Sequence, residues 1–110
     1  ILPILSAGGT LVLADMEKIL DINELFSYIE DTKVTILSTV PSMIARLNTM
    51  ERCPDTIRLI LSGGETLLPN HINRLKGIQI VNGYGLTESG ICNTYKTIET
   101  EGINTQSFFP

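Results

Sequence analysis

The sequence lacks the features that mark membrane, secreted and nucleic-acid-binding proteins. Its longest uninterrupted apolar stretches, residues 11–14 and 59–61, are far shorter than the roughly 20 residues of a membrane-spanning helix. Cysteine occurs only at Cys53 and Cys92, too rarely for a disulfide framework or a zinc knuckle, so we expect free thiols in a cytoplasmic protein. The 8 lysines and arginines form no basic cluster and are outnumbered by 12 aspartates and glutamates, which argues against nucleic acid or an anionic membrane as a partner.

The overall composition is that of one ordinary globular domain, or of part of one. The chain has 110 residues, of which 43% are hydrophobic and 18% charged, and a net charge of -4. Residues 1–5 include neither an initiator methionine nor the basic segment of a secretory signal, and residues 107–110 place adjacent phenylalanines at the chain end. We therefore expect residues 1–110 to form a partial domain that is truncated at both ends.

The hydrophobic pattern predicts strands that alternate with helices, and hence an α/β fold with a mainly parallel sheet. A continuous apolar run, as at residues 10–14, is typical of a strand buried on both faces. We predict strands at residues 10–14, 34–38, 57–61 and 78–81 and helices at 21–31, from Pro41 to about Met50 and from Leu68 to Gly77. Residues 91–95 are a candidate short strand, and residues 97–107 are predicted to be a loop. The predicted buried helix faces are Leu25, Phe26, Tyr28 and Ile29, then Met43, Ile44, Leu47 and Met50, then Ile72 and Leu75.

Three segments rich in small and polar residues follow predicted strands. They are residues 38–39, 62–65 and 82–88. In an open parallel sheet, ligands gather at the carboxyl ends of the strands, so we expect these segments to line one crevice.

The residue types in this crevice suit a nucleotide. The adjacent glycines Gly63 and Gly64 let the backbone approach a flat ligand, and Tyr84 offers a stacking face for a base. Thr87 offers a hydroxyl to a phosphate oxygen, and Glu88 offers a hard carboxylate to Mg²⁺. Taken singly, each feature also has a structural explanation: a glycine pair that turns the chain, a core tyrosine, a solvated acid. The sequence contains neither G-x-x-x-x-G-K-[ST] nor a helix-opening G-x-G-x-x-G, so it supports neither a Walker-type NTPase nor a dinucleotide dehydrogenase.

Three motifs together carry a resemblance to a known family. Residues 81–88, VNGYGLTE, resemble the N-x-Y-G-P-T-E motif of the adenylate-forming enzymes, and residues 61–67, LSGGETL, resemble their G-G-E segment. Residues 34–42 contain T-x-L-x-x-V-P-S, which is similar to the preceding strand and helix in amino-acid adenylation domains of nonribosomal peptide synthetases. The resemblance covers essentially the whole chain, and it implies part of the large N-terminal subdomain of such an enzyme.

The resemblance implies a two-step reaction with ATP and Mg²⁺. A carboxylate attacks the α-phosphate of ATP and releases pyrophosphate, and the acyl group then passes to the phosphopantetheine thiol of a carrier protein domain. Catalysis of this kind depends on alignment and on neutralising phosphate charge. The implied ATP-contacting residues are Gly63, Gly64, Glu65, Asn82, Gly83, Tyr84, Gly85 and Thr87. By the resemblance, the backbone of residues 63–65 would line the adenine, Tyr84 would stack on it, and Asn82 would hydrogen-bond to its amino edge. The implied catalytic pair is Thr87 and Glu88, and Glu88 is the implied metal ligand.

The same resemblance implies a pocket for the side chain of an amino-acid substrate. Small residues predominate in it, which leaves volume for a large hydrophobic or aromatic side chain between Leu61 and Ile91. The implied pocket residues are Ser38, Leu61, Gly63, Gly83, Ile91 and Cys92.

Two departures from the family pattern leave alternatives open. Leu86 stands where peptide synthetase domains usually carry proline, and G-Y-G-L-T-E is common among acyl-CoA synthetases, so fatty-acid or aryl-acid activation is an alternative. The family's phosphate loop, its substrate-binding and ribose-binding aspartates and its late catalytic lysine have no match in the chain. We therefore expect residues 1–110 alone to be inactive in adenylation. A non-catalytic nucleotide-binding or scaffold module is the third alternative for the function of the protein.

Overall fold

The computed structural model describes residues 1–86, 88–90 and 92–100. In these ranges the helices are α1 (Leu2–Ser6), α2 (Met16–Leu20), α3 (Ile22–Asp31) and α4 (Pro41–Asn48), and the strands are β1 (Ile36–Thr39), β2 (Leu59–Ser62), β3 (Gln79–Tyr84) and β4 (Thr94–Glu99). The strands form one sheet in the order β1-β2-β3-β4, in which β1, β2 and β3 are parallel and β4 is antiparallel to β3. The predicted α/β fold with a mainly parallel sheet is confirmed. None of the helices in the described ranges has the length and apolarity to span a bilayer.

The hydrophobic core lies between the helices and one face of the sheet. Ile60, Ile80 and Ile98 are register partners on β2, β3 and β4, and all three are fully buried. They pack with the predicted inward residues Ile29 of α3 and Ile44 of α4. Because successive side chains of a strand point to opposite faces, the residues before and after each of these isoleucines face the other side of the sheet, which the helices of the described ranges leave uncovered.

Helix α3 begins where the sequence predicts because of its N-cap. The Asp21 carboxylate accepts hydrogen bonds from the backbone N–H groups of Asn23 at 2.9 Å and Glu24 at 3.5 Å. An aspartate at this position satisfies N–H groups that have no partner within the helix.

The predicted strand at residues 10–14 is wrong. Residues 9–15 form an irregular connection between α1 and α2, and Leu13 is 73% exposed. None of the described strands pairs with this segment, and an apolar run becomes a buried strand only where a neighbour completes its backbone hydrogen bonds. Its contacts with the helices include a hydrogen bond from the Tyr28 hydroxyl to the Leu13 carbonyl at 2.6 Å and one from the Gly9 N–H to the Ile4 carbonyl at 2.9 Å.

The predicted helix at residues 68–77 is also wrong, since only a 3-10 turn forms, at Pro69–His71. The inward residues are nevertheless placed as predicted, because Ile72 and Leu75 are buried. Gly77, predicted to end the helix, has a φ of +70°, a left-handed conformation that favours glycine.

Asn48 explains why no α-helix forms there. Its amide nitrogen donates to the Asn70 carbonyl at 3.0 Å, and its amide oxygen accepts from the Arg74 N–H at 2.9 Å. In an α-helix this carbonyl and this N–H, four residues apart, would bond to each other. The Asn48 side chain takes the place of that helical hydrogen bond and keeps the segment irregular.

The end of the described chain also differs from the prediction. The sequence pattern predicts a loop from residue 97, but residues 97–99 belong to β4, which pairs with β3 along its whole length. The cause is Ile98, whose side chain is fully buried against Ile80 and fixes this otherwise polar segment to the sheet. Residues 101–107 of the predicted loop lie outside the described residues.

Candidate active site at the carboxyl edge of the sheet

The three parallel strands end at a common edge, and the predicted ligand-binding segments lie along it. Thr39 at the end of β1 pairs with Ser62 at the end of β2, and Ser62 pairs with Asn82 in β3. β3 then continues to Tyr84, so that the residues at 82–84 belong to the strand itself and not to the loop after it. The structure therefore places the strand ends that carry the three segments next to one another, as the sequence predicts.

The open face of the sheet holds the described residues of the predicted substrate pocket. Ser38 and Leu61 are register partners on β1 and β2, and both side chains are exposed. Leu61 pairs in turn with Val81, which places Gly83 two residues further along the same face. Ile91 lies outside the described residues.

Gly83 and Cys92 are packed closely at this edge. A Cβ atom on Gly83 would lie 3.2 Å from the Cys92 Sγ and 3.6 Å from the Ser62 carbonyl oxygen. The Cys92 thiol itself donates to the Thr94 carbonyl at 3.2 Å. Because residue 83 is a glycine and has no side chain, the space next to the Cys92 sulfur stays open.

The helix-covered side of the same edge holds the residues implied to contact adenine. Asn82 and Tyr84 alternate with Gly83 along β3 and point to the opposite side from it. Asn82 is buried, whereas Tyr84 is 57% exposed. An exposed ring at a strand end is available for stacking on a base, and this exposure disfavours the alternative that Tyr84 is a core aromatic.

The glycine pair after β2 has a structural role that is compatible with the predicted one. Gly64 has a φ of +85°, which L side chains rarely adopt, and a Cβ atom there would lie 3.7 Å from Val40 Cγ1. A Cβ atom on Gly63 would lie 3.7 Å from the Gly83 carbonyl. The backbone here both turns the chain and stays open to a ligand.

Glu65 makes contacts that the sequence did not predict. Its carboxylate accepts a hydrogen bond from the Ser42 N–H at 2.9 Å and another from the Ser42 hydroxyl at 3.1 Å. Ser42 lies in the first turn of α4, whose N-cap residue is Val40. When the N-cap residue of a helix is apolar, the first N–H groups of the helix need a hydrogen-bond acceptor from elsewhere in the chain. The apolar N-cap Val40 is therefore the sequence signal that predicts a polar partner for the start of α4.

The turn after β3 carries Glu88. Asn93, which is not part of the three motifs, holds this turn together through its side-chain amide. The Asn93 amide oxygen accepts from the Leu86 N–H at 3.3 Å and from the Ser89 hydroxyl at 3.0 Å, and its nitrogen donates to the Ser89 carbonyl at 3.1 Å. Gly85 directly precedes this turn. Thr87 lies outside the described residues.

The Glu88 carboxylate is exposed and is compatible with the predicted Mg²⁺ ligand. In the described ranges no three or more histidine, cysteine, aspartate or glutamate side chains cluster as a metal site. Mg²⁺ is commonly held by one or two carboxylates together with substrate phosphates. One exposed carboxylate at the carboxyl edge fits that arrangement, and its metal role stays a prediction.

The fold and the edge define a class: an α/β protein with glycine-rich loops at the carboxyl ends of a mainly parallel sheet. Comparison with known proteins then identifies the family. The family model described as AMP-binding enzyme matches residues 1–107. The chain belongs to the AMP-binding enzyme family, as the resemblance of its motifs predicted.

Similar curated proteins include two peptide synthases and a CoA ligase. The chain is 31% identical to tyrocidine synthase 3 of Brevibacillus parabrevis over 84% of the chain and 2% of that protein. It is 32% identical to bacitracin synthase 2 of Bacillus licheniformis over 84% of the chain and 4% of that protein. It is 33% identical to 2-succinylbenzoate–CoA ligase of Bacillus pumilus (strain SAFR-032) over 74% of the chain and 17% of that protein.

Solved structures agree on the fold. The unliganded O-succinylbenzoate coenzyme A synthetase of Bacillus subtilis superposes with a TM-score of 0.58 and 31% identity, over 70% of this chain and 17% of that one. CmiS6 superposes with a TM-score of 0.69 and 22% identity, over 84% of this chain and 24% of that one. The chain therefore spans less than a quarter of the length of each of these proteins.

Proposed function

We propose that this chain is part of a cytoplasmic amino-acid adenylation domain of nonribosomal peptide synthesis. The domain forms an aminoacyl-AMP from ATP and an amino acid, and then loads the phosphopantetheine thiol of a carrier domain. The observation that carries this proposal is the division of the carboxyl edge. Tyr84 and Asn82 lie on one side and Ser38 and Leu61 on the other, and Gly63 directly follows the last residue of β2.

This division suits a reaction that joins two different molecules. A base stacked on Tyr84 and an amino-acid side chain on the open face approach each other at the strand ends, where the carboxylate meets the α-phosphate. Holding both reactants in this geometry supplies much of the rate acceleration. Mg²⁺ held by Glu88 would neutralise charge on the phosphates.

A second candidate is an acyl-CoA or aryl-acid ligase of the same family. Leu86 in place of proline favours it, and so does the similarity to 2-succinylbenzoate–CoA ligase. The G-G-E segment and Asn82 favour the first candidate, as do the peptide synthase relatives.

Exchange of labelled pyrophosphate into ATP separates the candidates. The assay uses the full-length gene product and a panel of amino acids, fatty acids and aryl acids. We expect exchange with bulky hydrophobic or aromatic amino acids. Exchange only with fatty or aryl acids would move the assignment to the second candidate, and ATP binding without exchange would support a non-catalytic module.

A further inference from the structure

The loop after β2 is tied to the end of β1 and to the start of α4 at the carboxyl edge of the sheet. The Gly63 N–H donates to the Thr39 carbonyl at 3.3 Å. The Ser42 N–H and hydroxyl both donate to the Glu65 carboxylate, at 2.9 and 3.1 Å. We call the pair of hydrogen bonds between Ser42 and Glu65 the carboxylate clamp.

Helix α4 depends on this clamp for its start. Its N-cap, Val40, has no side-chain acceptor, and Pro41 at the first position has no N–H to donate. The two N–H groups that follow Ser42 donate to the Val40 carbonyl at 3.0 and 3.1 Å. The Ser42 N–H is therefore the group of the first turn that needs an acceptor from outside the helix, and a carboxylate suits the positive end of the helix dipole.

The clamp also fixes the glycine loop. Gly63 is tied to β1 through its N–H, and Glu65 is tied to α4 through its carboxylate. Gly64 lies between these two anchors in a left-handed conformation. A loop of glycines has many accessible conformations, so anchors on both sides are what hold this backbone in one of them.

We propose that Glu65 is a positioning residue, whose carboxylate, bound by Ser42, holds the Gly63-Gly64 backbone in the conformation that receives the adenine of the nucleotide. The inference rests on the proposed function and deepens it. It assigns to the Glu65 side chain a role distinct from the backbone contact that the family resemblance implies.

The test measures the Kd of AMP by calorimetry, and kcat and the KM of ATP by pyrophosphate exchange, in the full-length gene product. We expect Glu65→Ala to raise the Kd of AMP and the KM of ATP about 10-fold and to change kcat less than about 3-fold, because ground-state binding is lost. Glu65→Gln and Ser42→Ala each retain part of the clamp, so each should have a smaller effect of about 2–4-fold. Adding Ser42→Ala to Glu65→Ala should have little further effect, because the two residues form one contact.

Asp21→Ala is the matched control. It removes a carboxylate that caps α3 with two backbone hydrogen bonds, and both of these bonds lie within the first turn of α3 and involve no residue of the clamp or of the glycine loop. It should lower thermal stability about as much as Glu65→Ala does while leaving the Kd of AMP unchanged. An equal rise in Kd in both variants would show a general effect of destabilisation and would overturn the proposal, as would an unchanged Kd in Glu65→Ala.

The experiment separates failure of this inference from failure of the proposed function. If the wild-type protein binds AMP but shows no exchange with any acid, the catalytic assignment fails, and the Kd series still decides the role of Glu65. If the wild type shows exchange and Glu65→Ala matches it in KM and Kd, only the inference fails. If the wild type binds no adenine nucleotide, both fail.

Discussion

Asn48, Glu65 and Asn93 lie outside the patterns that predict the fold, yet each fixes the backbone of a different segment. Asn48 replaces a helical hydrogen bond, Glu65 caps α4, and Asn93 closes the turn that carries Glu88. Each acts through a side chain that bonds to backbone groups of another segment or turn. Polar residues of this kind set loop geometry because buried or strained backbone groups must find partners.

The two cysteines should differ sharply in reactivity. Burial raises the pKa of the half-buried Cys53 to about 11, the negative charge of Asp55 adds to the rise, and Arg52 opposes it. The reactive thiolate of Cys53 is therefore scarce at pH 8, whereas Cys92 is exposed. We expect iodoacetamide at pH 8 to label Cys92 at least about 10-fold faster than Cys53 in the folded protein, as measured by peptide mass spectrometry.

The same pKa shift has a defined effect on stability. The Cys53 pKa is higher in the folded state than its ordinary value of 9.0. The contribution of Cys53 to the free energy of unfolding is therefore fully present below pH 9 and is lost as the pH rises toward 11.

Denatured protein, in which both thiols are exposed, provides the control for the labelling experiment. Equal labelling rates of the two cysteines in the folded protein would contradict the burial of Cys53.

Gly83 should control the size of the substrate that the open face accepts. In Gly83→Ala the new Cβ atom would lie 3.2 Å from the Cys92 Sγ. The sulfur must then move by a few tenths of an ångström, and the methyl group and the displaced sulfur together reduce the volume of the predicted substrate pocket. We expect Gly83→Ala to reduce kcat/KM for bulky amino acids about 10-fold or more relative to small ones. The double variant with Cys92→Ala removes the sulfur and should recover most of the loss; no recovery would contradict this view of the pocket.

Among the secondary structure elements, local patterns predicted β1, α3, α4, β2 and β3 well. Their apolar spacing and their start signals, such as Asp21 and Pro41, lie within the elements themselves. Two of the wrong predictions, the strand at 10–14 and the helix at 68–77, depend on distant partners. The first has no neighbouring strand in the described residues, and the second competes with Asn48, whose place beside it arises only from the folded chain.

Asn48 is the clearest test of that competition. Asn48→Ala removes hydrogen bonds to Asn70, Asn73 and Arg74 from a buried position. We expect it to lower the free energy of unfolding by about 2–3 kcal/mol, because the Asn70 carbonyl and the Arg74 N–H lose the partner of a part-buried hydrogen bond. The measurement is urea unfolding of the protein that carries the chain, followed by circular dichroism.

Asn73→Ala is the control for this prediction, because it removes only one of the three contacts. It should cost about 1 kcal/mol or less. If Asn48→Ala is no more destabilising than Asn73→Ala, the Asn48 amide does not replace the helical hydrogen bond in the way we describe.

In the molecule as a whole, one face of the sheet carries the core and the other faces outward. Leu61 and Tyr95 are exposed on that outward face, close to the residues that the motifs assign to the substrate pocket. The sequence could predict which residues share the carboxyl edge, because parallel strands align their ends. It could not predict the division of that edge into two sides, because this follows from the pairing register, in which Ser38 pairs with Leu61 and Ser62 with Asn82.

The proposed activity is tested most directly by pyrophosphate exchange driven by a bulky hydrophobic or aromatic amino acid. The exchange is compared between the wild-type gene product, Glu88→Ala and Glu17→Ala. Glu17 is an exposed carboxylate on α2 and serves as the matched control. We predict exchange in the wild type and in Glu17→Ala, and a loss of about 100-fold or more in kcat in Glu88→Ala, because that variant lacks the carboxylate that we propose to hold Mg²⁺ on the phosphates. Equal exchange in Glu88→Ala and Glu17→Ala, or no exchange from the folded wild-type protein with any amino acid, would contradict the assignment.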